Sequence, residues 1–190
     1  LGLLLPLAAS ADQSLQAWID TALPGTVLRL PAGTYRGPAV IAKPLVLESI
    51  GKVIIDGGGT GTVLTIKADH VTIRGLTVRN SGGSHDAIDG GIMAEGSHLL
   101  IENNIIEDVL FGVSLHRVTD SMVRHNRIRS RPVDSADRGD GLRLWYSTGN
   151  RIEDNDIARI RDITVSNSPR NRYTGNTVRD SRRAFNFLFS

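Results

Sequence analysis

The sequence predicts an all-β solenoid. Three observations predict it: an in-register repeat after residue 26, an Asn that recurs at one place in that repeat, and helical periodicity in only one short segment. Five runs carry the repeat: Val71–Val78 (VTIRGLTV), Leu99–Ile106 (LLIENNII), Ser121–Ile128 (SMVRHNRI), Asn150–Ile157 (NRIEDNDI) and Asn171–Val178 (NRYTGNTV). Their third residues are Ile73, Ile101, Val123, Ile152 and Tyr173, and their eighth are Val78, Ile106, Ile128, Ile157 and Val178. Successive intervals are 28, 22, 29 and 21 residues. The sixth position is Leu76, then Asn104, Asn126, Asn155 and Asn176.

A basal period near 21–22 with β-branched residues and a repeated Asn implies a right-handed single-stranded parallel β-helix. One coil of short strands cannot bury its apolar face alone. Coils stacked about 4.8 Å apart form a continuous core and satisfy each other's backbone. The Asn is expected to recur because its amide bonds to its equivalents one coil away and because Asn tolerates left-handed backbone. A further strand repeats as Leu64–Ile66, Ile92–Ala94, Val113–Leu115, Leu142–Leu144, Ile163–Val165 and Phe185–Phe187. Gly91, Gly112 and Gly141 precede three of these, where tight turns are expected. A leucine-rich-repeat horseshoe would need its own Leu spacing and a helical segment per repeat, whereas these strands alternate at period two.

The exception is 14–23, where Leu15, Trp18, Ile19, Ala22 and Leu23 lie at helical spacing behind Ser14 as N-cap and before Pro24-Gly25. This helix is expected to cap the first coil, whose open edge would otherwise aggregate. Residues 1–11 are an apolar run ending in Ala9-Ser10-Ala11, the form of an export-signal remnant, which leaves 12–190 as the β-helix domain. Phe185–Ser190 is an aromatic strand that stops mid-coil, so the expectation is an N-terminal part of a longer protein.

Composition narrows the chemistry. The 190 residues carry no Cys, which excludes disulfides and thiolate chemistry. Net charge is +2, too balanced for a dedicated nucleic-acid binder, although all 15 basic residues after residue 100 are Arg. No apolar run is long enough to span a membrane as a helix.

The two long intervals mark insertions at one corner of the coil, 81–91 and 131–141, two coils apart. They bring His85, Asp86, Asp89, Asp134, Asp137, Arg138 and Asp140. Such loops are a solenoid's usual binding surface, and these carboxylates suit Ca²⁺ or acid–base work on a polysaccharide. Equally, Asp, Ser and Gly are ordinary turn residues. Asp140, directly before a strand, is expected to accept a turn N–H. The outward side of the third strand aligns Lys67, Glu95, His116, Trp145, Ser166 and Leu188, with Glu95 beside His116 and His116 beside Trp145. An outward Trp suits a sugar ring or a protein partner. The soft metal candidates Met93, His98, His116, Met122 and His125 lack tight ligand spacing, and His70, His98 and His125 suit coil corners instead.

Leu30–Gly37 (LPAGTYRG), Lys43–Leu47, Ile55–Gly59 and Val71–Val78 resemble the opening coils of pectin-lyase-like β-helices. Arg138–Ser147 (RGDGLRLWYS), Asn150–Asn155 and Arg161-Asp162 resemble the NosD family of periplasmic β-helix proteins. That resemblance implies an accessory protein without catalysis, working with an ABC transporter, a copper chaperone and nitrous-oxide reductase in copper-site maturation. It implies no bound cofactor, copper handled at most indirectly, no nucleic acid, and membrane contact only through partners. The chain departs from the family at Asn186, where a His is common, so that residue's role does not transfer. The expected partner surface is His85, His116, Arg138, Asp140, Arg143, Trp145 and Tyr146. The alternative is a polysaccharide lyase, epimerase or hydrolase using Asp86, Asp89, Asp137, Arg138 and Asp140, and a third reading is a carbohydrate-binding surface.

Overall fold

Parallel pairing between coils, in the predicted register, builds the molecule: Ile73 pairs with Ile101, Ile101 with Val123, Val123 with Ile152 and Ile152 with Tyr173. The computed structural model describes residues 13–189. The signal-like run 1–11 lies outside them.

Each coil has three faces. The first carries strands Leu100–Glu102, Met122–Arg124, Arg151–Glu153 and Arg172–Thr174. The second carries Ile105–Val109, Arg127–Ser130, Asp156–Ile160 and Thr177–Ser181. In the opening coils these two faces run together in the long strands Thr26–Arg36, Leu45–Asp56 and Val71–Arg79, so they join in one 12-stranded sheet. The third face is a separate 7-stranded sheet, ordered Ala39–Ile41, Leu64–Lys67, Gly90–Ser97, Phe111–Thr119, Leu142–Trp145, Ile163–Ser166 and Asn186–Leu188.

Inward residues form columns. Ile66, Ala94, Leu115, Leu144 and Val165 stack at 0–1% exposure, facing Val78, Ile106, Ile128 and Ile157 at 0%. Burying each such Ile or Leu contributes about 1.5–3 kcal/mol, and the stacking means no column is interrupted by a layer boundary.

The Asn column forms as expected. Asn104 donates through Nδ2 to Asn126 Oδ1 at 3.0 Å, Asn126 to Asn155 at 3.0 Å, and Asn155 to Asn176 at 2.9 Å. Each Oδ1 also takes the backbone N–H of the Asn one coil earlier, and each Nδ2 reaches a backbone carbonyl. The column starts at Leu76, whose N–H donates to Asn104 Oδ1 at 3.1 Å. The left-handed conformation falls one residue earlier, on Gly75, Asn103, His125, Asp154 and Gly175. The ladder Asn is therefore chosen for its amide, and its neighbour absorbs the bend.

Two further polar columns close the other corners. Asn171 Oδ1 accepts from Asn150, Asn150 Oδ1 from the Ser121 N–H, and Ser121 Oγ from the Leu99 N–H. Ser168 Oγ accepts from the Ser147 N–H, and Ser147 Oγ from the Val118 N–H. Gly91, Gly112 and Gly141 are not at positive φ. They are needed because a Cβ would drive into the core: at Gly112 it would lie 2.1 Å from the Gly141 carbonyl oxygen and 2.5 Å from Ile128. The turn expectation is corrected to one of close approach between rungs.

The helix, Leu15–Thr21, lies over the first coil with Leu15 and Ile19 buried and Trp18 edge-on to Tyr35 at 6.0 Å. Gln16 treats the sheet edge as a strand would: its Oε1 accepts the Val40 N–H at 2.7 Å and its Nε2 donates to the Val40 carbonyl at 3.2 Å. Lys43 Nζ donates to the Asp20 and Ala22 carbonyls, closing the C-terminal end. Ser14 sits at the N-cap, but its side chain makes no capping bond, and its backbone pairs with Arg36 instead. Leu23 points to solvent at 75% exposure, because the chain has left the helix by then.

Asn126→Ala removes a buried acceptor of two bonds and orphans the Asn104 N–H, so stability should fall by about 2–3 kcal/mol, read as a lower urea midpoint at unchanged m. Gly112→Ala should cost more than Asn126→Ala in the same assay, because its methyl has backbone rather than a movable side chain in its way.

Candidate functional site

Arg and Glu alternate up the first face. Arg29, Glu48, Arg74, Glu102, Arg124 and Glu153 are register neighbours in that order. Arg29 Nε meets Glu48 at 2.7 Å, Arg74 pairs with Glu48 and reaches Glu102 at 3.8 Å, and Arg124 meets Glu102 at 2.7 Å. The Arg74 hydrogen bond, with Arg29 adding to it, holds the Glu48 carboxyl below its ordinary range. On the second face Asp156 gathers both Arg129 and Arg179. Much of the Arg excess is thus neutralised in place.

The two insertions fold toward each other across the intervening coil. His85 Nε2 lies 3.2 Å from the Asp137 carbonyl, and its ring stands edge-on to Phe111 at 5.7 Å. Arg131 spans the gap from the other side, donating to the Ser81 and Gly82 carbonyls at 2.8 Å each. A short 3₁₀ turn, Ser135–Asp137, shapes the second insertion.

The loop acids have separate attachments. Asp89 accepts the Ser84 N–H at 2.9 Å and closes its own loop. Asp86 and Asp137 are exposed. Arg138 reaches away to Asp180 at 3.0 Å and to the Val133 carbonyl at 3.1 Å. Asp140 is buried and accepts from Arg161 Nε at 3.2 Å and from the Thr164 hydroxyl, rather than from a turn N–H. Burial pushes its carboxyl above the ordinary range, against the pull of Thr164 and Arg161, and the nearby Asp162 adds to the rise. Asp162 is itself buried and paired with Arg182. Among the described residues no three His, Asp or Glu side chains converge as a metal site.

The outward row of the third face stands as aligned: Lys67 beside Glu95, His116 beside Trp145, Trp145 beside Ser166, Ser166 beside Leu188. His116 Nδ1 lies 3.3 Å from Glu95 Oε1. Ser166 does not reach solvent: it is 2% exposed, and Asn167 Nδ2 donates to its hydroxyl. A second outward row, Met93, Ser114 and Arg143, runs alongside. Between the rows a groove of ≈ 380 Å³ is lined by Ile88, Met93, Ser114, His116, Arg143 and Trp145. The Arg143 guanidinium sits over the Trp145 ring at 5.3 Å, and Tyr146 stands edge-on to Trp145 at 5.6 Å on the rim. The expected surface residues His116, Arg143 and Trp145 meet here. His85, Arg138 and Asp140 belong to the insertions and their anchors.

Of the soft metal candidates, Met93 and His116 share this groove. His98 stacks on His70 at 4.9 Å, both at positive φ on a corner, as is the exposed His125.

The sequence match agrees with this architecture: the family model described as "Right handed beta helix region" covers residues 54–188. The chain belongs to the right-handed β-helix family. Within it this β-helix is similar to two proteins named "Probable ABC transporter binding protein NosD". The one from Pseudomonas aeruginosa is 33% identical over 136 residues, 70% of this chain and 32% of that protein. The one from Stutzerimonas stutzeri is 33% identical over 137 residues, 70% of this chain and 31% of that protein. The β-helix described here is thus NosD-like and spans about a third of the length of those relatives. Among its described residues no helix is long and apolar enough to cross a membrane.

Glu48 and Asp140 predict opposite pH responses. Glu48, held low, adds stability above its unfolded value of about 4.3 and loses it as pH falls through its folded one. Glu48→Gln should therefore be less stable than the native chain at pH 7 and converge with it in acid. Asp140, held high, costs stability once pH rises past its unfolded value of about 3.9 toward its folded one. Asp140→Asn should gain on the native chain as pH rises from 4 to 7, read from urea midpoints across that range.

Proposed function

We propose that this β-helix is a non-catalytic periplasmic accessory protein of the NosD type. It works with an ABC transporter, a copper chaperone and nitrous-oxide reductase in maturation of the reductase's copper site. The observation that carries the reading is the match to proteins named as ABC transporter binding proteins over 70% of the chain. The surface chemistry supports it. A long rigid face with an aromatic and an Arg in an apolar recess is the composition of a protein-binding hot spot. The loop acids are each engaged locally or exposed separately, which suits loop structure better than a shared proton-transfer centre. The apolar run 1–11 supports export.

The test is co-purification from detergent-solubilised membranes of an epitope-tagged chain with the transporter's permease and ATPase. Retention of both subunits is expected, and a double variant Arg143→Glu, Trp145→Ala should reduce it at least tenfold without changing the circular dichroism spectrum. Loss of retention in the native chain, or cleavage of a uronate polymer by it, overturns the proposal.

A further inference from the structure

The groove on the third face has features that specify what enters it. Its walls are aliphatic and thioether, Ile88 and Met93, with Trp145 at one end. Its polar groups are Ser114, His116 and Arg143. His116 is turned to Glu95, so its imidazole already has a carboxylate partner. Arg143 is half-buried, rests on the Trp145 ring, and has no acidic partner among the described residues. A partly desolvated guanidinium held on an aromatic face attracts an anion more strongly than one in open water.

Ile88 adds an independent sign. It is β-branched yet held at φ 56°, fixed by its N–H to the His85 carbonyl at 3.2 Å and by the Thr62 hydroxyl on its own carbonyl at 3.4 Å. A β-branched residue in left-handed backbone is strained, and such strain collects where a ligand wall must be held in place.

We propose that this groove is the docking site for a short extended segment of a partner protein in which a carboxylate side chain stands next to an aliphatic one. The proposal rests on the partner-binding reading above and deepens it. The carboxylate pairs with Arg143 and the Ser114 hydroxyl, and the aliphatic side chain lies between Ile88 and Met93. Met93, Ser114 and Arg143 occupy three successive rungs, a run of about 10 Å that matches about three residues of extended chain. Met and Ile walls fit an aliphatic side chain and leave sugar hydroxyls without partners, which favours peptide over an acidic oligosaccharide.

Fluorescence anisotropy with fluorescein-labelled pentapeptides tests it. The probes are one alternating Glu and Leu, one alternating Lys and Leu, one alternating Glu and Gly, and a labelled uronate trisaccharide. The Glu/Leu peptide alone is expected to bind at micromolar concentration. Arg143→Gln and Met93→Glu should each weaken it at least tenfold, while Arg151→Gln, an exposed pair with Glu153 elsewhere on the solenoid, should leave it unchanged. Equal binding of the Glu/Leu and Lys/Leu peptides, binding of the trisaccharide alone, indifference to both groove variants, or no binding at all overturns the inference. Failure here with co-purification intact removes the groove assignment and leaves the transporter reading standing. Peptide binding without co-purification does the reverse.

Discussion

Backbone pairing from rung to rung is the constraint on which everything else in the molecule depends. Parallel strands, many of them only three to five residues long, have little stability singly, and their corners leave N–H and C=O groups that would be buried unpaired. The side-chain columns close that gap. Asn104 through Asn176 serve one corner, Leu99 through Asn171 a second, and Val118 through Ser168 a third. Each amide or hydroxyl stands where a strand's next hydrogen bond would have been, so pairing continues round the bend.

Rigidity at the corners is what turns a stack of side chains into a surface. His116 comes from one rung and Arg143 and Trp145 from the next, yet their spacing is fixed by the sheet beneath them. The insertions are fastened to that frame, with Arg131 and His85 tying one to the other across a coil. Shape on the third face is therefore preorganised, and binding there loses little conformational entropy.

Much of the frame was legible in the sequence because period and burial are linked: a residue in a column must be apolar or must bond to its copies. The alignment that placed Ile73 under Ile101 also contained features it did not announce. Its fourth position reads Arg74, Glu102, Arg124 and Glu153, the charge ladder itself, and its first reads Ser121, Asn150 and Asn171, the second polar column. The groove was only partly legible. Trp145 and His116 stood out as an outward pair, but Arg143 gained meaning from its posture over the Trp ring, and Ile88 from a backbone angle that no composition reveals. Ser166 was misjudged because alternation tells which way a side chain leaves the strand and not how much of it solvent reaches, and Asp140, ahead of the strand, was read as a turn acceptor where burial instead pairs it with Arg161 and Thr164.

The alternating ladder on the first face has a consequence for how such a molecule can change in length. Arg29, Glu48, Arg74, Glu102, Arg124 and Glu153 give adjacent rungs opposite sign. Excising the rung that carries Glu102 would set Arg74 directly against Arg124, whereas excising it together with a neighbour restores complementarity. The register thus possesses a parity, and duplication or deletion of coils is electrostatically neutral in pairs and frustrated in odd numbers.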